Sequence, residues 1–274
     1  MNYFIRNMVY EDIDEAKTLI PKNWGDSTDI LIKYVNDKNA HPIVVERDGA
    51  IIGMGCALFY EGTAWFGHIV VKREMQRQGI GDVIVSQLIQ LCKQRKIQTI
   101  SLIASKEGEG LYLKFGFVKE EAYVYMERVT TVEGVDRESM NNADRELLPV
   151  AKEEYEQILA LDEAVTNEKR SNFLLGYLEH AYVYKQNDKI CGFYVPTLGE
   201  GVMIASNEDA GMKLLEATID HRSRFVLPHT NTFAVDYLVN HGFKCTMSVM
   251  RMYYGDKRTV KYRQIYSRIG GNLG

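Results

Sequence analysis

Apolar positions along the first third of the chain alternate between two periods. Tyr3 to Arg6 reads as a short strand, and Ile13, Ala16 and Ile20 then recur at helical spacing within Tyr10–Ile20, which Pro21 ends. Asp26 to Val35 predicts a second short helix capped by Ser27 or Asp26. Two β-rich runs, Pro42–Glu46 and Ala50–Met54, flank Arg47-Asp48-Gly49, and Asp-Gly between such runs is a strong hairpin signal. Thr63 to Val71 forms a third strand. The period then changes: Ile80, Ile84, Leu88, Leu91 and Cys92 fall on one face of a long helix from Gly79 to Arg95. Thr99–Ile103 is a strand, Gly108–Phe115 a short helix ended by Gly116, and Phe117 to Arg128 returns as strands. An antiparallel start followed by a helical crossover predicts a parallel strand after the long helix.

Residues 130–144 are polar and aperiodic, and the pattern then starts again. Helical spacing is expected over Leu147–Val165 and Arg170–Glu179. A hairpin turns at Asn187-Asp188, a helix covers Asp209–Ile219, Arg224–Leu227 is a strand, and a last short helix ends at Gly242-Phe243. Ile52-Gly53 overlays Cys191-Gly192, and Gly116-Phe117 overlays Gly242-Phe243, with a shorter separation in the second pair. The chain therefore reads as two copies of one domain, residues 1–130 and 145–274, joined by a linker over 131–144, with the second copy trimmed around its third strand.

Composition narrows the function. Residues 1–130 carry 16 Lys+Arg against 17 Asp+Glu, and the rest 17 against 20, giving the net charge of −4. Neither half has the basic excess of a nucleic-acid binder, and the basic tail Lys257–Arg268 reads as a solvated face. Cys56, Cys92, Cys191 and Cys245 are scattered without a CxxC or Cys/His cluster, so neither a disulfide framework nor a metal site is expected. The N-terminus lacks a signal-peptide pattern, and the longest apolar run, Ala50–Tyr60, is too short to span a bilayer. The expectation is a cytoplasmic protein without membrane or nucleic-acid partners.

The segment with the clearest chemistry is Val71 to Gly81, which leaves a strand and opens the long helix. Glycines let backbone N–H groups approach an anion, and a helix N-terminus adds partial positive charge, so a pyrophosphate suits the place. Arg77 adds a cation. No Gly-Lys-Ser/Thr follows and GxGxxG is missing, which sets aside a Walker A loop and a dinucleotide fingerprint.

Gln76-x-x-Gly79-x-Gly81 resembles the Q/R-x-x-G-x-G/A motif of the GNAT (GCN5-related) acetyltransferases, and Leu111-Tyr112-x-x-x-Gly116-Phe117 resembles the LYxxxGF segment of their last helix. The two marks are separated by one helix and one strand, and the resemblance spans residues 3–128. It implies tandem α/β folds, each a mixed, mostly antiparallel sheet flanked by helices. It implies acetyl-CoA as cosubstrate and an amine as acceptor, without a metal, in a monomer or homodimer. Carried onto this sequence, Ile69, Val70 and Val71 would hold the pantetheine arm and polarise the acetyl carbonyl. Amides of Arg77, Gln78, Gly79, Ile80, Gly81 and Asp82, after Gln76, would cradle the pyrophosphate. Tyr112 would be the acid toward the leaving thiolate. Ser105 stands where the family often has Asn.

The base is open: His68 titrates near neutrality, but strand alternation also allows it a purely structural place, and Glu61, Glu46 or a water chain are alternatives. In the second copy Ser206–Gly211 aligns with Gln76–Gly81, keeping only Gly211, while Glu208 and Asp209 would repel pyrophosphate. Leu238 replaces Tyr112, although Asn231 and Ala234 fit the family's last-helix pattern. The second copy thus reads as a degenerate domain. The implied reaction is N-acetylation of a small-molecule amine, with a protein or peptide amine, or a non-catalytic acyl-CoA sensor, as alternatives.

Overall fold

The computed structural model describes residues 3–129 and 147–273, and the expected linker, residues 131–144, lies outside them. The chain divides into two compact units that interleave in sequence. One comprises Met1–Lys119, Met252–Lys257 and Gly271–Gly274; the other comprises Glu120–Arg251 and Arg258–Gly270.

The first unit begins with β1 (Phe4–Asn7), α1 (Ile13–Ala16), α2 (Thr28–Asn36), β2 (Ala40–Arg47), β3 (Ala50–Phe59) and β4 (Thr63–Val71). It continues through α3 (Ile80–Gln94), β5 (Thr99–Ala104) and α4 (Glu109–Lys114), and β6 (Val118–Arg128) follows. β1 to β4 pair antiparallel in sequence order, and β5 joins β4 parallel, as the helical crossover predicts. The β2–β3 turn places Asp48 and Gly49 at φ 51° and 79°, the left-handed pair that a two-residue hairpin requires. On the far side of β5 the unit takes in Met252–Lys257, tied by Asp256 N to Gln98 O and by Thr99 Oγ1 to Asp256 O.

Helices cover both faces of this sheet. Ile80, Ile84, Val85, Leu88, Ile89 and Cys92 are the buried positions of α3, matching the period read from sequence. On the other side Ile13, Ala16, Leu31 and Tyr34 pack with Val44, Met54, Cys56 and Val70. The expected helix over Tyr10–Ile20 is broken, with an α turn at Ile13–Ala16 between two 3-10 turns. At α2 the bond to the Thr28 amide comes from Asp26 rather than Ser27.

The second unit holds β7 (Leu148–Pro149), α5 (Tyr155–Thr166), α6 (Ser171–Leu174), β8 (Tyr182–Gln186), β9 (Lys189–Val195) and β10 (Val202–Ala205). α7 (Glu208–Thr218), β11 (Arg224–Pro228), α8 (Thr232–Asn240), β12 (Phe243–Gly255) and β13 (Ile265–Ser267) complete the order. One sheet runs β13-β10-β9-β8-β7; β6 lies between β12 and β11 in the other. The helix expected from Leu147 starts only at Tyr155, because Pro149 and its neighbours pair with β8 instead. The helix expected over Arg170–Glu179 is α6 followed by a 3-10 turn.

Arg170 and Asp162, both almost fully buried, form a two-pronged pair with 2.8 Å contacts from Nε and a terminal nitrogen. Removing Asp162 unmakes both short charge-assisted bonds in a dry interior and leaves the Arg170 charge to longer contacts such as Glu168 at 3.8 Å. Asp162→Ala is expected to destabilise the protein by about 3 kcal/mol, read as a lowered urea midpoint.

Candidate functional site

The site is built where β4 loses a neighbour. β4 pairs with β5 from Thr63 to Phe66 against Thr99 to Leu102, and the pairing stops there while β4 runs on to Val71. From Gly67 onward no strand among the described residues pairs with this edge of β4, and its backbone polar groups have hydrogen-bonding capacity to offer a guest. Opposite β3 the register slips: Gly67 faces Cys56 but Val70 faces Met54, so His68 and Ile69 oppose the single residue Gly55. His68 sits at φ 50° in this bulge. The bulge breaks the alternation that left its orientation open, and it carries His68 Nδ1 to 2.9 Å from the Tyr34 hydroxyl on α2.

The loop after β4 prepares the start of α3. Gln76 Nε2 returns to the Val71 carbonyl at 3.1 Å, holding the loop against the strand end. Arg77 and Gly79 take φ 60° and 83°, and Gly79 is the residue that caps α3. The first amides of a helix have no partner within it, and Gly79 brings no side chain to satisfy them. A Cβ at Gly79 would meet no neighbour within 4 Å, so the helix start is uncrowded at this residue. Gln78 bonds the Glu74 carbonyl, and Asp82 pairs with Lys114 of α4, so both side chains face their own scaffold. Open amides at a helix start beside a strand edge that ends its pairing fit a pyrophosphate and an amide-bearing arm.

Tyr112 of α4 is buried, edge-on to Phe117 at 5.7 Å, and burial raises its phenol well above the ordinary range, so it holds its proton at neutral pH. Ser105 accepts the Gly108 amide at 3.3 Å and thus caps the turn leading to Tyr112. Ile69 and Val71 are half-buried on the open-edged stretch and Val70 is buried. Of the alternative bases, Glu46 is engaged by Arg6 on β1.

On the α2 side, Trp24 stands edge-on to the His68 ring, with centroids 6.0 Å apart. Residues Gly271–Leu273, also part of this unit, lie on β4 here. Asn272 Nδ2 contacts the Tyr34 hydroxyl at 2.5 Å, and the Tyr60 hydroxyl donates to the Leu273 carbonyl at 2.9 Å. A Cβ at Gly67 would lie 2.3 Å from that of Asn272, so only glycine admits the segment there.

The corresponding place in the second unit is filled. β13 pairs antiparallel with β10, and Arg268 N bonds the Val226 carbonyl of β11, so β13 lies where the strand edge stays open in the first unit. Asn231 caps α8 through the Ala234 amide, and its Nδ2 donates to the Ile265 carbonyl of β13. The fully buried Tyr266 ring presses on the first turn of α7, where a Cβ at Gly211 would meet it at 1.8 Å.

Two different family models, each described as an acetyltransferase (GNAT) domain, match residues 10–133 and 158–267. The chain belongs to the GNAT family. It is an acetyl-CoA-dependent acyltransferase by that membership, with the GNAT domain present in tandem. It is similar to the "Putative [ribosomal protein bS18]-alanine N-acetyltransferase" of Bacillus subtilis, 29% identical over 120 residues, which are 41% of this chain and 78% of that one. It also matches the "Uncharacterized N-acetyltransferase ycf52" of Pyropia yezoensis, at 31% identity over 94 residues, 34% of this chain and about half (51%) of that protein. Along its whole length it resembles the structure titled "A Putative Acetyltransferase" from Pyrococcus horikoshii, with TM-score 0.77 and 25% identity, covering 99% of this GNAT chain and 96% of the other.

Sequence reading singled out His68, Tyr112 and the loop to Asp82 but assigned no role to Tyr34, Trp24, Asn272 or Tyr266. Asn272 and Tyr34 lie 238 residues apart, and no local pattern signals such a pair.

Loss of hydration pushes the His68 imidazole down to about 4, so its charged form is disfavoured in the fold. The unfolded chain therefore binds this proton first, and the stability held above an ordinary pKa of about 6.5 is lost as pH falls toward 4. An NMR titration is expected to place the His68 midpoint below 5, with thermal stability declining across the same window.

Proposed function

We propose that the first unit of this GNAT protein transfers the acetyl group of acetyl-CoA to a primary amine of a small molecule, by direct attack of the neutral amine in a ternary complex. The observation that carries the reading is the parting of β4 from β5 after Phe66, beside the bare amides that open α3. The amides from Arg77 to Asp82 hold the pyrophosphate. The open edge at Ile69, Val70 and Val71 holds the pantetheine arm, and Ser105 keeps the α4 turn in place. The thioester supplies an activated carbonyl; the protein orients it and manages protons.

An alkylammonium has a pKa of about 10, so the acceptor must shed a proton before or during attack. The nitrogen then bonds to the carbonyl carbon and gives its second proton to solvent, the carbon–sulfur bond breaks, and sulfur leaves as thiolate. Tyr112, which burial keeps in its O–H form, donates to the departing thiolate, and a proton it passes on is replaced from solvent. Oxygen charge that develops in between is met by the β4 backbone at Val71. His68, Trp24 and Tyr34 border the acceptor. Asn272 and Leu273 crowd the same side of β4, which favours a compact amine over an extended chain.

The likeness to a relative named for bS18-alanine acetylation favours a second reading, in which the acceptor is the N-terminal amine of a protein. The second unit, in this proposal, binds no cofactor, because β13 and Tyr266 stand in its cleft and Glu208 and Asp209 place negative charge at the start of α7.

Calorimetric titration with acetyl-CoA is expected to give one site per chain, abolished by Gly79→Glu, which sets a carboxylate among the α3 amides. Two sites would overturn the reading of the second unit, and no binding that of the first. Tyr112→Phe keeps the aromatic packing and is expected to lower kcat by about 10²-fold without abolishing turnover. An acceptor screen of small amines against peptides with free N-termini separates the two substrate classes: turnover confined to peptides sinks the small-molecule reading.

A further inference from the structure

Tyr34, His68 and Asn272 form a three-member chain from α2 through β4 to the segment Gly271–Leu273. Each contact constrains the next. The Tyr34 side chain is buried, with 3% of its surface exposed, and burial holds its phenol well above the ordinary range, so it is a neutral O–H that needs one acceptor. Two groups meet its oxygen: Asn272 Nδ2 and His68 Nδ1. An amide nitrogen only donates, so the Tyr34 proton is left to His68 Nδ1. A neutral imidazole that accepts at one nitrogen carries its hydrogen on the other. The contact is also sterically keyed, because Gly67 admits Asn272 at a distance that no side chain at 67 would allow, and Tyr60 fixes the neighbouring Leu273 carbonyl.

We propose that Asn272 is a positioning residue for the acceptor side: by donating to Tyr34 it commits the Tyr34 proton to His68 Nδ1 and so keeps the His68 hydrogen on Nε2. His68 then meets the acceptor or the acetyl oxygen as a hydrogen-bond donor, and it does not serve as the base that removes the amine proton. That proton goes to solvent. The inference rests on the proposed reading in which His68 borders the acceptor.

The test reverses one hydrogen bond while keeping its shape. In Asn272→Asp a carboxylate replaces the amide and accepts the Tyr34 proton; the Tyr34 oxygen must then accept from His68 Nδ1–H, and the imidazole hydrogen moves from Nε2 to Nδ1. Full-length protein labelled with ¹⁵N-histidine is read by long-range ¹H–¹⁵N spectra at pH 7, with His68 assigned by its loss in His68→Gln. The expected result is an Nε2–H tautomer in wild type and an Nδ1–H tautomer in Asn272→Asp, a switch that Tyr34→Phe removes from the double variant. With the acceptor found in the screen, kcat/KM of Asn272→Asp is expected to fall about tenfold, the order of one lost hydrogen bond, with KM for acetyl-CoA unchanged. The same tautomer in wild type and Asn272→Asp, or Nδ1–H in wild type, overturns the proposal.

Asn272→Ala guards against a variant that fails to fold: it removes the donor without adding charge, and retention of both the wild-type spectrum and the wild-type kcat/KM would equally overturn the assignment. Failure of the underlying reading has a different signature. There the tautomer switches as expected while His68→Ala turns over the acceptor at the wild-type rate.

Discussion

A strand that stops pairing midway must satisfy the polar groups along its freed edge. β4 does this at Phe66, and much of the candidate site follows from that constraint. The bulge at His68 and Ile69 takes up the change of direction, the loop held by Gln76 carries the chain to α3, and α3 presents unpaired amides next to the open edge. None of these features is stabilising in isolation. A positive φ at His68 and Arg77 costs about 1–2 kcal/mol each for side chains other than glycine, and it persists because β3, α2 and α3 fix the residues on either side.

The second unit answers the same constraint from within. Its freed edge on β10 is covered by β13, the polar cap residue Asn231 spends its amide on the Ile265 carbonyl, and an aromatic ring takes the space above the helix start. Two copies of one architecture thus differ in what completes the edge: in one it stays available along Gly67–Val71, in the other a piece of the chain's own backbone supplies the missing strand.

The elements legible in the sequence are those governed by local rules. The α3 period, the Asp48-Gly49 and Asn187-Asp188 turns, and the parallel strand after the crossover all follow from neighbours a few residues apart. Misplaced boundaries arose where tertiary pairing overrode propensity, as when Leu148 and Pro149 joined β8 in place of a helix. The loop from Gln76 to Asp82 stood out because glycine spacing reports a backbone requirement. His68 could be named but not oriented, since a bulge changes the face of every following residue and leaves no mark in composition. Tyr34 and Asn272 were invisible for a related reason: their significance comes from meeting each other across most of the chain.

The seating of Tyr266 against Gly211 couples two positions that lie far apart in the chain. Once the ring lies 1.8 Å from where a Cβ would stand, position 211 cannot gain a side chain and position 266 cannot shrink without opening a void, so each substitution alone lowers fitness of the fold. The two positions are therefore interlocked: a change at either one keeps the packing only if the other changes with it.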